Sequence, residues 1–185
     1  MDTKNKSTTA KPRVGGAIFR GDTNVALPTD AKTTLNEGFK NLGYISEDGV
    51  KNGFSPSNKT IKAWGGGTAL DVQESRPDTF KFAMIEALEP EVLKTVYGDK
   101  NVEGTLETGI KLKANDSDLE YKAYVIDMIL KDNILKRIVI PRAKVTAVED
   151  ITYVGNDAIM YSVTLSAALN TDGDYHYEYI EKPAE

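Results

Sequence analysis

The stretch of this sequence that most resembles a ligand loop is a run of three glycines after the chain's one tryptophan. Gly65, Gly66 and Gly67 follow Trp64 directly. A glycine loop that cradles phosphate needs either the G-x-G-x-x-G spacing or a following Gly-Lys-Ser/Thr, and this run has neither. Because glycine clusters usually mark turns, we predict the tip of a hairpin here and not a nucleotide site.

Few other residues are available for catalysis or metal binding. The chain has no cysteine and a single histidine, His176, which excludes disulfides, thiolate nucleophiles and Cys-ligated metals. His176 lies in no recognisable nucleophile context, and we expect a partly exposed strand residue. The acidic stretches 115–118 and 171–174 lack the remaining ligands of an EF-hand and are predicted to be turns. We therefore expect no enzyme, no cofactor and no metal.

Composition indicates one globular domain with polar ends. The chain has 185 residues, 40% of them hydrophobic, and a net charge of −5. This charge argues against a grip on duplex DNA built from phosphate contacts. No segment approaches the roughly 18 to 20 continuous apolar residues of a membrane span, so we expect no membrane association. Residues 1–13 hold four basic side chains against one acid, and their low hydrophobicity predicts a flexible arm.

Hydrophobic periodicity positions these features on an antiparallel β protein. Residues 14–50 are short apolar pieces cut by Gly, Asp and Pro, which are typical of short strands and turns. Alternation predicts a strand at 80–88 with Phe80, Phe82, Met84 and Leu88 on one side. Pro90 near a start, acids in the first turn and Gly98 after the end predict one short helix at 89–97.

Alternation returns in the second half of the chain. It predicts strands at 121–130, 134–140, 142–148, 151–154 and 158–167, joined by hairpin turns. The strand at 121–130 is apolar on both faces, so one face should cover the core and the other should meet the helix, a second sheet or a neighbouring subunit. The basic residues around 136–137 and 142–144 look like a solvated sheet edge.

The residues around Trp64 are the best candidates for an interface. Residues 57–74 alternate loosely on both sides of the glycines and predict a long hairpin. An isolated hairpin of this kind is marginally stable in water. A weakly hydrophobic ribbon that carries a tryptophan would therefore gain its order against another surface.

Several phrases of the sequence together resemble a known family. They are Val-Gly-Gly-Ala-Ile-Phe-Arg-Gly-Asp at 14–22, the segment 35–50, Ile-Lys-Ala-Trp-Gly-Gly at 61–66 and Phe-Lys-Phe-Ala-Met-Ile-Glu-Ala-Leu at 80–88. Their content and order resemble the major tail tube proteins of long-tailed bacteriophages with non-contractile tails. The resemblance runs from about Val14 to Leu169 and contains no catalytic signature.

The resemblance implies a fold and an assembly. The fold would be a mainly β, antiparallel β-sandwich or half-barrel with one short α-helix on its flank. It would comprise a flexible basic arm (1–13), a tail-tube-like β domain (14–170) and a C-terminal tail (171–185). Copies would form rings, expected to be hexameric, that stack into the phage tail tube. The arm, the hairpin and the C-terminal tail would bridge rings and become ordered on assembly.

The resemblance also implies contacts, partners and a location. The predicted inter-subunit contacts are Trp64, Gly65, Gly66, Gly67, Thr68, Lys11 and Arg13. The partners would be further copies of the chain, a tape measure protein and the tail terminator and distal tail proteins. DNA would pass through the lumen without specific binding. Two roles fit the acidic net charge: an acidic lumen that repels phosphates, or a surface charge that only keeps the monomer from aggregating. The protein would be assembled in the host cytoplasm and would reside in the virion tail.

Two other functions remain open from the residues alone. The first is a monomeric β-sandwich module that binds carbohydrate or peptide on Trp64, Tyr44 or the tyrosines at 175, 177 and 179. Such modules usually converge several exposed aromatic side chains on one face. The second is a hydrolase with paired acids, since 28 Asp and Glu residues offer many pairs and nothing marks one.

Overall fold

A computed structural model describes residues 6–13 and 16–183 of the chain. Residues 1–5 of the predicted arm, residues 14–15 and the end of the predicted C-terminal tail lie outside the described residues. The elements are β1 Ala10–Pro12, β2 Ile18–Asp22, β3 Lys40–Asn41, β4 Lys51–Phe54, β5 Ser57–Lys62, β6 Thr68–Ser75, β7 Asp78–Met84, α1 Pro90–Tyr97, β8 Val102–Glu103, β9 Lys111–Leu112, β10 Lys122–Leu130, β11 Leu135–Val148, β12 Tyr161–Ala167 and β13 Tyr177–Glu181. Short 3-10 helices span Asp99–Asn101 and Lys131–Asn133.

One antiparallel sheet forms the body of the protein. Within the described residues it has nine strands in the order β3-β2-β10-β11-β12-β7-β4, with β1 paired to β10 and β13 paired to β11. After β3 the chain crosses to the opposite edge, where Ile45 bridges Met84 and the Ser46 amide donates to the Ala83 carbonyl over 2.9 Å. One stretch of chain thus joins both edges of the sheet. The prediction of a mainly antiparallel β protein with one short helix is confirmed.

The core lies inside this curled sheet, under the helix. Val92, Leu93 and Val96 of α1 are buried there, as the apolar stripe of the helix predicts. The strands contribute alternate residues: Phe80, Phe82, Met84, Tyr124, Ile126, Ile138, Ile140, Val145, Tyr161, Val163 and Leu165. A smaller cluster covers the other face of the sheet: Phe39, Ala123, Val125 and Val139, with Val25, Leu27, Leu35, Tyr177 and Tyr179 against it.

Both faces of β10 are buried, as its sequence predicts, but the second face meets none of the three expected partners, because the helix packs on the main-core face. Tyr124 and Ile126 face the main core, while Ala123 and Val125 face the smaller cluster. The second face meets the segment between β2 and β3 together with two tyrosines of β13, so no neighbouring subunit is needed to cover it.

The predicted strands at 134–140 and 142–148 are a single strand, β11, so the predicted break between them is wrong. Pro141 lies where the register with β10 shifts, between the pairs Tyr124–Ile140 and Lys122–Ala143. Proline has no amide hydrogen to donate, and a bulge is a position where a strand tolerates it. The chain therefore passes through Pro141 without leaving the sheet.

Two other strand predictions are also corrected. The strand predicted at 80–88 ends at Met84, and Leu88 is 63% exposed because the chain turns towards α1, with the Glu89 amide bonded to the Glu86 carbonyl. Residues 151–154 form no strand, and the strand predicted at 158–167 begins only at Tyr161. A hairpin at 151–167 would need a free edge on β12, but β11 and β7 occupy both edges.

The predicted ends are partly built into the sheet. Residues Tyr177–Glu181 pair with β11, so the expectation that the C-terminal tail becomes ordered only on assembly is wrong for this segment. Residues 10–12 of the predicted arm pair with β10, Lys11 opposite Ile129. The division of the chain into arm, body and tail stays a prediction.

Candidate assembly interface

Among the described residues, the hairpin β5–β6 lies within the longest unbroken run of exposed positions. Every residue of both strands is exposed, although these strands pair with each other along their length. At about 3.3 Å per residue, the stretch from Ser57 to Trp64 reaches roughly 25 Å. The hairpin therefore extends from the body as a ribbon.

The two faces of this ribbon differ in polarity. Ile61 pairs with Leu70 and Lys59 pairs with Val72, and pairs two positions apart share a face. Ile61, Leu70 and Val72 are 47%, 54% and 42% exposed on that face. The opposite face presents the pairs Thr60–Asp71 and Asn58–Gln73. A sheet face with three large aliphatic side chains normally packs on something.

The glycine run forms the turn at the tip, as predicted. Gly65 and Gly66 have φ of +108° and +94°, which glycine adopts without steric cost. The Gly66 amide donates to the Ala63 carbonyl over 3.0 Å, and the Ala63 amide donates to the Gly67 carbonyl over 2.7 Å. Trp64 protrudes from this turn fully exposed, with a relative accessibility of 106%.

A buried carboxylate fixes the root of the hairpin. Asp78 begins β7 directly after the hairpin and is 0% exposed. Its Oδ1 accepts from Asn52 Nδ2 over 2.7 Å, and its Oδ2 lies 2.6 Å from His176 Nδ1. Phe80 meets the His176 ring edge-on with centroids 5.3 Å apart. Arg76 lies 4.1 Å over the ring of Phe54, which ties the two chain segments that lead into and out of the hairpin.

The prediction that His176 is a partly exposed strand residue is therefore incomplete. His176 precedes β13, and its side chain is 18% exposed. It connects the root of the hairpin to the C-terminal strand. Sequence reasoning missed this link because Asp78 and His176 are 98 positions apart.

The body also contains a buried ion pair between Arg137 and Asp127, where the sequence predicts a solvated sheet edge. Arg137, predicted at a solvated edge, has a side chain only 1% exposed. Its Nε and Nη2 donate to the two Asp127 oxygens over 2.6 and 2.8 Å, and its Nη1 donates to the carbonyls of Asp30 and Thr33. This bidentate pair joins β10 and β11 to the segment under the smaller cluster.

A second charged cluster lies beside the helix. Lys122 donates to Asp22 and Asp99 over 2.6 Å each, and Arg20 Nη2 donates to Asp99 over 2.5 Å. Partial burial by itself would raise the pKa of Asp99, but the hydrogen bonds and positive charges of Lys122 and Arg20 outweigh it and lower that pKa. The cluster holds β2, β10 and the end of α1 together.

The predicted contact residues fall into two places. Trp64, Gly65, Gly66, Gly67 and Thr68 lie together at the tip of the hairpin. Lys11 and Arg13 lie on and just after β1, where they line a groove of about 690 Å³ between β1 and residues 43–50. No lining residue of this groove belongs to the hairpin, so one molecule presents a protruding tip and a separate groove.

The aromatic side chains do not converge as a carbohydrate platform would require. Tyr177 and Tyr179 pack against the smaller cluster, whereas Trp64 and Tyr44 lie on different elements, 106% and 75% exposed. In the part of the chain that the structure describes, no group of His, Cys, Asp or Glu is arranged to hold a metal ion. Among the same residues no helix is long and apolar enough to cross a membrane.

The body and the ribbon form a small antiparallel β protein in which the described residues leave the apolar face of the hairpin uncovered, as is typical of a subunit of a larger assembly. A family model described as "Phage tail tube protein" matches residues 3–184. The chain belongs to this family. It is a structural component of the virion tail and not an enzyme.

No curated protein matches the chain in sequence. Among solved structures, the chain is similar to the anti-feeding prophage cap, a tube-terminating cap, with 8% identity over 91% of each chain and a TM-score of 0.43. It is similar to the sheath–tube complex of an extracellular contractile injection system in the extended state, with 8% identity over 91% and 90% and a TM-score of 0.41. The sheath/tube terminator of such a system matches with 8% identity over 91% and 96% and a TM-score of 0.38.

Proposed function

We propose that copies of this chain close into hexameric rings and that the rings stack into the tube of a non-contractile phage tail, through which DNA is delivered. The observation that carries the proposal is the exposed apolar face of the β5–β6 hairpin, which the rest of the chain leaves uncovered. In this assembly the tip residues Trp64 to Thr68, together with Lys11 and Arg13, contact neighbouring copies.

Free strand edges support ring closure. Within residues 6–13 and 16–183, β4 pairs only with β7, and β13 pairs only with β11. An unpaired edge is a template for a strand of another chain. Edge-to-edge pairing between copies related by a rotation closes a ring, while the contact between rings is head-to-tail and continues as a tube.

The charge of the chain fits passage of DNA. A net charge of −5 allows a lumen lined with Asp and Glu, which repels phosphates and lets DNA slide without condensing on the wall. The tape measure protein would set the length of the tube, and terminator and distal tail proteins would cap its two ends. Assembly would take place in the host cytoplasm.

Electron microscopy and sedimentation of the concentrated protein test the proposal. We expect rings or tubes. Deletion of residues 60–70 should leave a folded monomer, because the ribbon has no contact role in the core, and should abolish assembly. Two point variants are matched: Trp64→Ser at the tip, and Leu106→Ser at another apolar residue, which is 60% exposed. We expect loss of assembly only in Trp64→Ser.

Other results would contradict the proposed assembly. A wild-type protein that stays monomeric at high concentration over a range of salt concentrations contradicts the proposal, and binding to glycans by that monomer would favour the carbohydrate-binding module. Loss of the folded circular dichroism signal in the 60–70 deletion would show that the hairpin serves the core.

A further inference from the structure

The groove between β1 and residues 43–50 has the volume and the lining to bind a protruding apolar side chain. Its volume of about 690 Å³ lies within the roughly 300–1,000 Å³ of ordinary ligand sites, so it has room for an indole ring and its neighbours. The apolar part of its lining is Ala17, Tyr44, Ile45, Val50, Ile126 and Met128. Tyr44 at its mouth is 75% exposed.

The two walls of the groove carry opposite charges. Lys11 and Arg13 line the β1 wall, and Glu47 and Asp48 line the facing wall. Arg13 lies 3.5 Å from Asp127, which offsets part of its charge. Among the residues that the structure describes, Lys11, Glu47 and Asp48 form no ion pair.

The hairpin carries the complementary arrangement. Its β5 arm holds Lys59 and Lys62, and its β6 arm holds Asp71 and Glu74. None of these four charges is in an ion pair within the described part of the chain. A hairpin that enters the groove with β5 along the acidic wall places β6 along the basic wall, so the charges select one of two possible orientations.

We propose that the groove of one copy receives the Trp64 tip of the hairpin of a second copy, with Lys59 and Lys62 against Glu47 and Asp48 and with Asp71 towards Lys11. This inference rests on the proposed self-assembly and names the receiving surface. The hairpin tip and the groove lie on different parts of the same molecule, so each bound copy leaves a tip or a groove for the next, and this head-to-tail contact would join one ring to the next.

Cysteine cross-linking tests the contact, because the chain has no natural cysteine. Thr68→Cys places a thiol at the tip and Ser46→Cys places one in the groove. A disulfide requires Cα atoms within about 7 Å, so a mixture of the two single variants should give a covalent heterodimer in assembled material. The control mixture replaces Ser46→Cys with Glu107→Cys, an exposed position outside the groove, and should give none.

Using single variants in mixtures means that any heterodimer must join two molecules. If assemblies form but Thr68→Cys does not cross-link to Ser46→Cys, or cross-links equally to Glu107→Cys, the assigned groove is wrong while the proposed function stands. If no condition yields assemblies, the proposed function and this contact fail together.

Charge reversal gives a second, independent readout. Lys59→Glu with Lys62→Glu should raise the protein concentration needed for assembly about tenfold or more, because like charges then face each other in the groove. Glu47→Lys with Asp48→Lys should do the same, and the quadruple variant should recover assembly. Lys111→Glu with Lys182→Glu, both exposed and outside the groove, controls for the net-charge change of the Lys59→Glu/Lys62→Glu double variant. A quadruple variant as defective as the two doubles would overturn the pairing.

Discussion

The body of this protein buries charged side chains, whereas the hairpin exposes apolar ones. In the body, Arg137 and Asp127 are charged and buried, with side chains 1% and 5% exposed, and the structure supplies each with hydrogen bonds. In the hairpin, Ile61 and Leu70 are apolar and about half exposed. The body therefore completes its own interactions, while the ribbon leaves an apolar face exposed.

This difference separates stability from assembly. A variant of the body should change the free energy of unfolding, and a variant of the hairpin should change the association of copies. Substitutions in each region test that separation.

The largest effect on stability should come from the buried ion pair. Arg137→Ala removes the bidentate partner of the buried Asp127 carboxylate and leaves it only the longer 3.5 Å contact with Arg13. This should cost about 3 kcal/mol of the free energy of unfolding, the lower end of the range for a broken buried pair. Urea denaturation measures the loss. The control is the neighbouring Lys136→Ala, since Lys136 is half-buried, lies 2.9 Å from Glu178 at the surface and should contribute less than about 1 kcal/mol. Equal losses in the two variants would contradict the importance of burial.

The root of the hairpin should show an intermediate effect. His176→Ala removes a hydrogen-bond partner of the buried Asp78 carboxylate and the ring contact with Phe80, which should cost about 1–3 kcal/mol. Thermal and urea unfolding measure it. Tyr153→Ala, at an exposed loop residue, is the control and should change little. Because Asn52 also donates to Asp78, we expect the variant to remain folded. An unfolded variant would show that the fold depends on the contact between His176 and Asp78.

Acid should weaken the charged cluster at the end of α1. The pKa of Asp99 is lowered below its usual value of 3.8 in the folded protein, so its contribution to stability is complete above that value and is lost as the pH falls below it. Asp99 is partly exposed, with a side chain at 35%, and the effect should be smaller than that of His176→Ala. Asp99→Asn should flatten the acid limb of the pH–stability curve, and an unchanged limb would contradict the role of Asp99.

The sequence predicts those elements that depend only on residues close together in the chain. The alternation of Phe80, Phe82 and Met84 and the apolar stripe of α1 lie within single turns or strands, so periodicity was enough to place them. The hairpin tip was also predictable, because positive φ at Gly65 and Gly66 needs no distant partner.

The interactions that the sequence did not predict depend on distant residues. The pair of Asp78 and His176 joins residues 98 positions apart, and no periodicity connects them. The prediction of a strand at 151–154 is wrong for a related reason: alternation identifies β7 and β11 as strands but does not show that they occupy both edges of β12. One missed feature did have a local signal: with the turn at Lys131–Asn133, the register of β10 and β11 puts Asp127 opposite Arg137.

The smallest effect on stability should occur in the hairpin, together with a large effect on assembly. Leu70→Ser replaces a side chain that is 54% exposed, and surface substitutions of this kind usually change the free energy of unfolding by less than about 0.5 kcal/mol. The same substitution in the body, Leu165→Ser, removes a fully buried side chain and places an unpartnered hydroxyl in the core, at a cost of several kcal/mol.

Urea denaturation and sedimentation of both variants therefore give opposite patterns. Leu70→Ser should unfold like the wild type and fail to assemble, because the apolar face of the ribbon loses its central contact. Leu165→Ser should lose stability, and where it remains folded it should still associate, since its hairpin is unchanged. If Leu70→Ser assembles normally, the exposed aliphatic face is not what joins the copies, and the polar face with Thr60 and Asp71 becomes the side to test.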